Sequence, residues 1–222
     1  MQPTLFECIG VERPGRTTRR PNPHLTQKME VYDFFAGAGG FSEGARRAGC
    51  DVVWACDNDV AAVKTHAQNH RSTDHVCCDL PMKPRHLPFP RDGRQFHVHF
   101  SPPCQRFSSQ NTVRRHSGDR ADAEALVRWS LETALESGAT SWSLEQVPSK
   151  HVVRIVEEAK QRHPGRIAWR KVDLSEFGVP QTRVRLIAGP PEVIEGLLRR
   201  RAPTRRRRAT TTAAAGWSRP NR

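Results

Sequence analysis

The chain has 222 residues, 36% of them hydrophobic and 27% charged, which favours one moderate-sized domain with a true core. No apolar run is close to the length of about 20 residues that a membrane-spanning helix needs. The N-terminus also lacks the apolar stretch of a signal peptide, so no membrane partner is expected. The six cysteines lack C-x-x-C spacing, which argues against a zinc motif or a disulfide framework. We therefore expect an intracellular protein without a metal site.

The formal net charge of +13 is concentrated at the two ends of the chain. Residues 199–222 carry nine arginines and no acidic residue, and residues 1–28 carry five basic residues against two acidic ones. Basic ends are typical of arms that bind a polyanion, most simply nucleic acid, although a solubilising tail or a nuclear address is an alternative. We predict a flexible arm over 1–28, a folded domain over 29–198 and a disordered tail over 199–222.

The first part of the folded region alternates short apolar runs with helical segments. Strands are predicted at 31–35, 51–57 and 75–80, and helices at 41–48 and 59–69. The turn Ala36-Gly37-Ala38-Gly39-Gly40 would let a ligand approach the backbone, and Asp57 could accept hydrogen bonds from a ribose. The glycine pattern is not the dinucleotide fingerprint, however, and an acid at a strand end can equally cap a helix.

A cysteine follows two prolines at the end of the apolar run 96–100. Pro102 and Pro103 cannot continue a strand ladder, so a short predicted strand stops there and presents Cys104 on a loop. Ligands bind at the carboxyl edge of open α/β sheets, which makes this thiol a candidate nucleophile. A loop cysteine without chemistry is the alternative interpretation.

The remaining elements continue the same alternation. A polar loop is predicted at 106–120, helices at 121–137, 151–162 and 192–199, and strands at 139–147 and 167–172. Glu145 lies near the end of its strand. Within 178–188, the alternation predicts that Gln181, Arg183 and Arg185 share one strand face, opposite Thr182, Val184 and Leu186.

In this order, the segments resemble the motifs of the cytosine-carbon-5 DNA methyltransferase family over about residues 31–189. The similar segments are 33–42, 78–80, 103–108, 144–147 and 178–185, with Asp57 at the position of the ribose-binding acid. Several motifs in the same order are far more specific than any single one. The resemblance implies an α/β class, with a Rossmann-like S-adenosylmethionine-dependent methyltransferase fold whose mostly parallel sheet has helices on both faces.

The resemblance also implies an activity: transfer of a methyl group from S-adenosylmethionine to carbon 5 of cytosine in DNA. Cys104 would form a covalent adduct at carbon 6, and Glu145 would act as an acid at ring nitrogen 3. Arg183 or Arg185 would hold the carbonyl oxygen of the base or a phosphate. A base in a duplex must first be flipped out.

The matching motif positions identify further site residues. The implied cofactor-binding residues are Asp33, Phe35, Gly37, Gly39, Gly40, Asp57, Asp79, Leu80 and Pro103. The implied substrate-binding residues are Gln105, Ser108 and Gln181.

Two departures from the family pattern stand out. Gln146 replaces the usual asparagine, and its extra methylene predicts a lower rate without loss of the chemistry. After Gly189, nothing resembles the family's target-recognition region or its last two motifs. We therefore expect a C-terminally shortened member, in which specificity is absent, comes from a second polypeptide, or is replaced by phosphate attraction.

Two further interpretations stay open. One branch of the family methylates transfer RNA, so the substrate could be RNA. A truncated, inactive relative that binds nucleic acid or cofactor is the other alternative. All three imply a protein that lies with nucleic acid inside the cell, in the cytoplasm, nucleoid or nucleus.

Overall fold

The computed structural model describes residues 28–83, 86–103 and 117–199, in which strands and helices alternate. The strands are β1 (Glu30–Phe34), β2 (Asp51–Asp57), β3 (Asp74–Cys77), β4 (Phe96–Phe100), β5 (Ser141–Gln146), β6 (Ala168–Asp173) and β7 (Val184–Gly189). The helices are α1 (Gly40–Arg47), α2 (Val60–Asn69), α3 (Ser117–Glu136), α4 (Lys150–Arg162) and α5 (Pro191–Arg199), with a 3-10 helix at Leu174–Phe177. Within the described ranges, every helix is too short or too polar to cross a lipid bilayer.

The seven strands form one sheet in the order β3-β2-β1-β4-β5-β7-β6. Every pair is parallel except the two that involve β7, which runs against both of its neighbours. This architecture confirms the predicted α/β class with a mostly parallel sheet. The crossover from β1 to β2 through α1 extends the sheet in one direction, and the crossover from β4 to β5 through α3 extends it in the other, as in doubly wound folds.

Successive residues of β1 show that helices cover both faces of the sheet. The carboxylate of Asp33 accepts a hydrogen bond from Ser42 in α1, whereas the ring of Phe34 lies 6.0 Å from Trp129 in α3. Since neighbouring side chains of a strand point to opposite faces, α1 and α3 must lie on opposite sides. This confirms the predicted placement of helices.

The main apolar core lies between the central strands and α3 and α4. Phe34 and Phe100 stack with their ring centroids 4.8 Å apart, and both are fully buried. The buried face of α4 is formed by Val152, Ile155, Val156 and Ala159. Truncation of such a buried aromatic ring to alanine costs about 3–5 kcal/mol, so this packing holds the strand ends in place.

The element boundaries differ most from the predictions at three places. β3 ends at Cys77, so Asp79 lies beyond the strand, and α3 begins at Ser117, inside the segment predicted as a loop. β7 begins only at Val184, so Gln181 and Arg183 precede the strand and their predicted placement within it is wrong. Pro180 has no N–H for a ladder, and the N–H of Arg183 donates instead to the carboxylate of Asp173, ten residues earlier in the chain, at 3.1 Å.

Candidate active site

The parallel strands bring four of the predicted site segments to one edge of the sheet. Phe34 pairs with Cys56 of β2 and with Phe100 of β4, and Phe100 pairs with Leu144 of β5. The residues that follow these positions therefore lie side by side. They are the glycine turn, Asp57, the Pro102-Pro103 turn and Glu145.

Cys104, Gln105 and Ser108 lie outside the described residues, as do almost all of the predicted arm and tail. The last described residue before Cys104 is Pro103, which is exposed, whereas the preceding Pro102 is buried.

The turn after β1 begins with an unusual backbone conformation. Phe35 has a backbone φ of 60°, a value that residues other than glycine rarely adopt. Two hydrogen bonds hold it: the Ala36 N–H donates to the Cys56 carbonyl at 2.9 Å, and the Ser101 hydroxyl donates to the Phe35 carbonyl at 3.0 Å. Backbone strain maintained in this way is typical of ligand-binding turns. Ser101 was not among the predicted site residues, although it begins the Pro-Pro-Cys segment.

The glycine turn leaves backbone groups accessible. A Cβ atom on Gly37 would meet no heavy atom within 4 Å, so the space beside this residue is open. Helix α1 begins after Gly39, which has no side chain to cap it, and the Ser42 N–H already faces the Asp33 carboxylate, so the N–H groups of Gly40 and Phe41 are the ones that an anion could approach. Gly40 begins the helix and is exposed.

Asp57 lies at the end of β2, where its carboxylate faces the turn. Its Oδ2 accepts the Gly37 N–H at 2.9 Å and its Oδ1 accepts the Asp59 N–H at 3.0 Å. Each oxygen keeps a second lone pair, so the carboxylate can still accept a hydroxyl group. Beside it, the Asn58 amide donates to Asp79 at 3.1 Å, which joins the ends of β2 and β3. Asn58 carries no motif signal and was not predicted.

Asp33, one of the implied cofactor-binding residues, lies below the turn and is fully buried. Its Oδ2 accepts a hydrogen bond from the Ser42 hydroxyl at 2.7 Å, and the Ser42 Oγ lies 3.0 Å from His66 Nε2. His66 Nδ1 in turn lies 2.8 Å from His75 Nε2. Burial raises the pKa of Asp33 to about 7 and lowers the pKa of His66 and His75 to about 4. Asp33 thus connects β1 to the first turn of α1 through Ser42.

Glu145 is paired with the two predicted arginines. Its Oε1 lies 2.7 Å from Arg185 Nε and 3.9 Å from Arg183 Nη2. The Arg185 side chain is 14% exposed and that of Arg183 is 44% exposed, so Arg185 is both the closer and the more buried partner. Gln181 is exposed, and Leu80 packs at the margin of the core.

The unusual residue Gln146 is fully buried beside this ion pair. Its Nε2 donates to the carbonyl of Pro102 at 2.8 Å, and its Oε1 accepts the N–H of Val147 at 2.6 Å. The side chain therefore connects the end of β5 to the turn that leads to Cys104.

Comparisons with known proteins agree with this geometry. Residues 29–126 match the family model described as C-5 cytosine-specific DNA methylase. The Type II methyltransferase M.HgiDI of Herpetosiphon aurantiacus is 36% identical over 163 residues, which cover 71% of this chain and 50% of the relative. The Type II methyltransferase M.AgeI of Thalassovita gelatinovora is 36% identical over 101 residues, 44% of this chain and 22% of the relative.

A solved structure is also similar. It is described as a DNA modification methyltransferase encoded within an E. coli prophage, with a TM-score of 0.58 and 27% identity. The alignment covers 76% of this chain and 48% of that chain. The chain thus spans about half the length, or less, of these three proteins.

Proposed function

Because the chain belongs to the cytosine-carbon-5 DNA methylase family, we propose that it transfers a methyl group from S-adenosylmethionine to carbon 5 of cytosine in DNA. One observation carries the proposal. The glycine turn, the strand end that leads to Cys104, and the Glu145–Arg185 pair share one edge of the sheet. A methyl donor and a flipped-out pyrimidine can meet only if their binding groups converge in this way.

The residues of this edge fit the proposed cofactor. Asp57 has lone pairs free for ribose hydroxyls, the space beside Gly37 is open, and the uncapped start of α1 suits the carboxylate of the methionine part. Asp79, Leu80, Phe35 and Pro103 flank the same region and are proposed to contact the remainder of the cofactor. When bound, S-adenosylmethionine supplies an electrophilic methyl group on a sulfonium.

The protein's own residues prepare the cytosine. The Cys104 thiolate adds to carbon 6 of the base. The π electron pair of the double bond between carbons 5 and 6 then shifts towards nitrogen 3, to which Glu145 delivers a proton. Carbon 5 becomes nucleophilic and takes the methyl group. Loss of the carbon 5 proton to a base then re-forms the double bond and expels the thiolate, and nitrogen 3 returns its proton to Glu145. Arg185, with Arg183, holds Glu145 in place and offers donors to the carbonyl oxygen of the base.

The covalent step can be tested with 5-fluorocytosine. Fluorine takes the place of the carbon 5 proton, whose loss would otherwise release the thiolate. The full-length chain would be incubated with S-adenosylmethionine and a pool of duplexes of varied sequence in which every cytosine is replaced. We expect a complex that survives denaturation, and we expect none with Cys104→Ser. Binding of S-adenosylmethionine is measured in parallel on both proteins.

The outcomes separate the alternatives. Cofactor binding without any adduct on DNA or RNA would support an inactive relative and refute the proposal. An adduct with a matched single-stranded or structured RNA, but not with DNA, would assign the activity to RNA. An adduct formed equally well by Cys104→Ser would refute the assigned nucleophile.

A further inference from the structure

The strand ladder between β4 and β5 is interrupted next to the proposed reaction site. The two strands pair as far as Phe100 and Leu144. Pro102 and Pro103 have no N–H groups, so the backbone cannot hold β4 and β5 together beyond this point. Yet Cys104 and Glu145 lie beyond it, and the proposed chemistry needs them at a fixed separation.

The side chain of Gln146 replaces the missing backbone bonds. Its Nε2 donates to the Pro102 carbonyl in the turn after β4, and its Oε1 accepts the Val147 N–H just past the end of β5. The residue has no exposed surface, so water does not compete for these bonds. A buried amide with both of its groups in use is a rigid connector.

We propose that Gln146 is a positioning residue that sets the distance between the turn before Cys104 and the carboxylate of Glu145. It acts through two neighbours: Pro102 lies two residues before Cys104, and Glu145 directly precedes Gln146. The inference rests on the proposed function. It also revises the expectation that the extra methylene lowers the rate, because the glutamine amide reaches both partners in this chain.

Three substitutions separate the parts of this role. Gln146→Met keeps the length of the side chain but removes both hydrogen-bonding groups. Gln146→Glu keeps an acceptor for Val147 and loses the donor to Pro102. Gln146→Asn keeps both groups on a side chain that is shorter by one methylene.

A matched control removes an equivalent bond far from the site. The hydroxyl of Thr73 is buried and donates to the Val52 carbonyl at 2.7 Å, at the start of β2 and thus at the opposite edge of the sheet. Thr73→Val removes this bond with little change in shape. It therefore reports what the loss of one buried side-chain bond does to the fold alone.

The measurement is the rate of adduct formation with 5-fluorocytosine duplex, per molecule that binds S-adenosylmethionine. We expect Gln146→Met and Gln146→Glu to lower it by about 10- to 100-fold with unchanged cofactor affinity, because a small misplacement of reacting groups costs about this much. Gln146→Asn should lie between these variants and the wild type. Thr73→Val should lower the melting temperature and leave the rate unchanged.

The inference and the proposed function fail in different ways. If the wild type forms no adduct, the proposed function is refuted. If the wild type reacts and the Gln146 variants react equally fast, or if their rates fall only in proportion to lost cofactor binding, the positioning role is refuted. A Gln146→Asn variant faster than the wild type would show that the asparagine is the better connector.

Discussion

Arg185 Nε lies 2.7 Å from Glu145 Oε1, although the two residues belong to strands that run in opposite directions. The reversal of β7 is what brings them together, because the beginning of β7 and the end of β5 lie at the same edge. Arg183 approaches the same oxygen at 3.9 Å from the segment before the strand. The two arginines are therefore close in sequence and unequal in geometry.

This inequality predicts unequal effects of the same substitution. Arg185→Lys should lower kcat by about 100-fold, since a directed donor near the reacting charge is lost, whereas Arg183→Lys should cost much less. Single-turnover methylation of a cytosine-rich duplex measures both, and cofactor affinity should stay constant. Equal losses in the two variants would contradict the geometric argument.

The glycine turn predicts a second pair of contrasting variants. Gly39 has a φ of 99°, and a Cβ atom there would lie 2.8 Å from His70 Nε2, whereas a Cβ atom on Gly40 would meet nothing within 4 Å. Gly39→Ala should therefore destabilise the protein by about 1–3 kcal/mol. Gly40→Ala should be neutral or slightly stabilising, because alanine favours the helix.

The comparison is made by denaturant unfolding without cofactor, so that binding does not contribute. Similar unfolding free energies for the two variants would show that the close approach of Gly39 to His70 does not constrain the turn.

The buried histidines predict a loss of stability in acid. Burial lowers the pKa of His66, His75 and His97 to about 4, so the folded chain keeps them neutral while the unfolded chain protonates them near pH 6.5. Unfolding then takes up protons, and the unfolding free energy falls as the pH drops from 6.5 towards 4. Asp33, with a pKa raised to about 7, acts in the opposite direction over much of this range, but one group does not offset three.

His97→Gln tests this prediction. The half-buried side chain lies between β4 and β5, 2.8 Å from the Ser141 hydroxyl and 2.9 Å from that of Ser143. Removing it should flatten the pH dependence by about 1.4 kcal/mol per pH unit, the value for one proton. Thr73→Val, which removes no titrating group, should lower stability while keeping the wild-type slope. Parallel curves for wild type and His97→Gln would refute the assignment.

The arginine-rich end predicts salt-dependent binding to DNA. Deletion of residues 200–222 removes eight arginines and no acidic residue, and it keeps α5 intact. We expect weaker binding and a shallower dependence of log K on log salt, by up to about 0.9 for each lost phosphate contact. Fluorescence anisotropy with a duplex of arbitrary sequence measures the slope. An unchanged slope would show that the tail does not anchor the nucleic acid.

Much of the fold could be predicted because local signals mark its strands. Glycine, proline and aspartate bound the apolar runs, so β2 and β4 have the predicted limits. The start of β7 could not be predicted, because the Arg183 N–H is diverted to Asp173, ten residues earlier in the chain. Nor could the contact of Asp33 with His66 through Ser42, which joins three separate segments.

The site shows the same division between local and spatial information. Motif positions predicted Glu145 and both arginines, but the bond from Gln146 to Pro102 depends on the packing of β5 against β4. The predicted domain limits of 29–198, the role of Cys104 and a second polypeptide for target recognition stay predictions.

The first residue of β7 lies at the edge of the sheet that carries the proposed site. The strands β1, β2, β4 and β5 have their last residues at that edge. The connection from β6 to β7, residues 174–183, therefore lies at the same edge of the sheet as the proposed reaction site. Extra residues could be inserted there without breaking a strand pair. The fold thus provides a segment whose length can vary, and with it the access of a substrate, while the residues proposed to carry the reaction keep their positions.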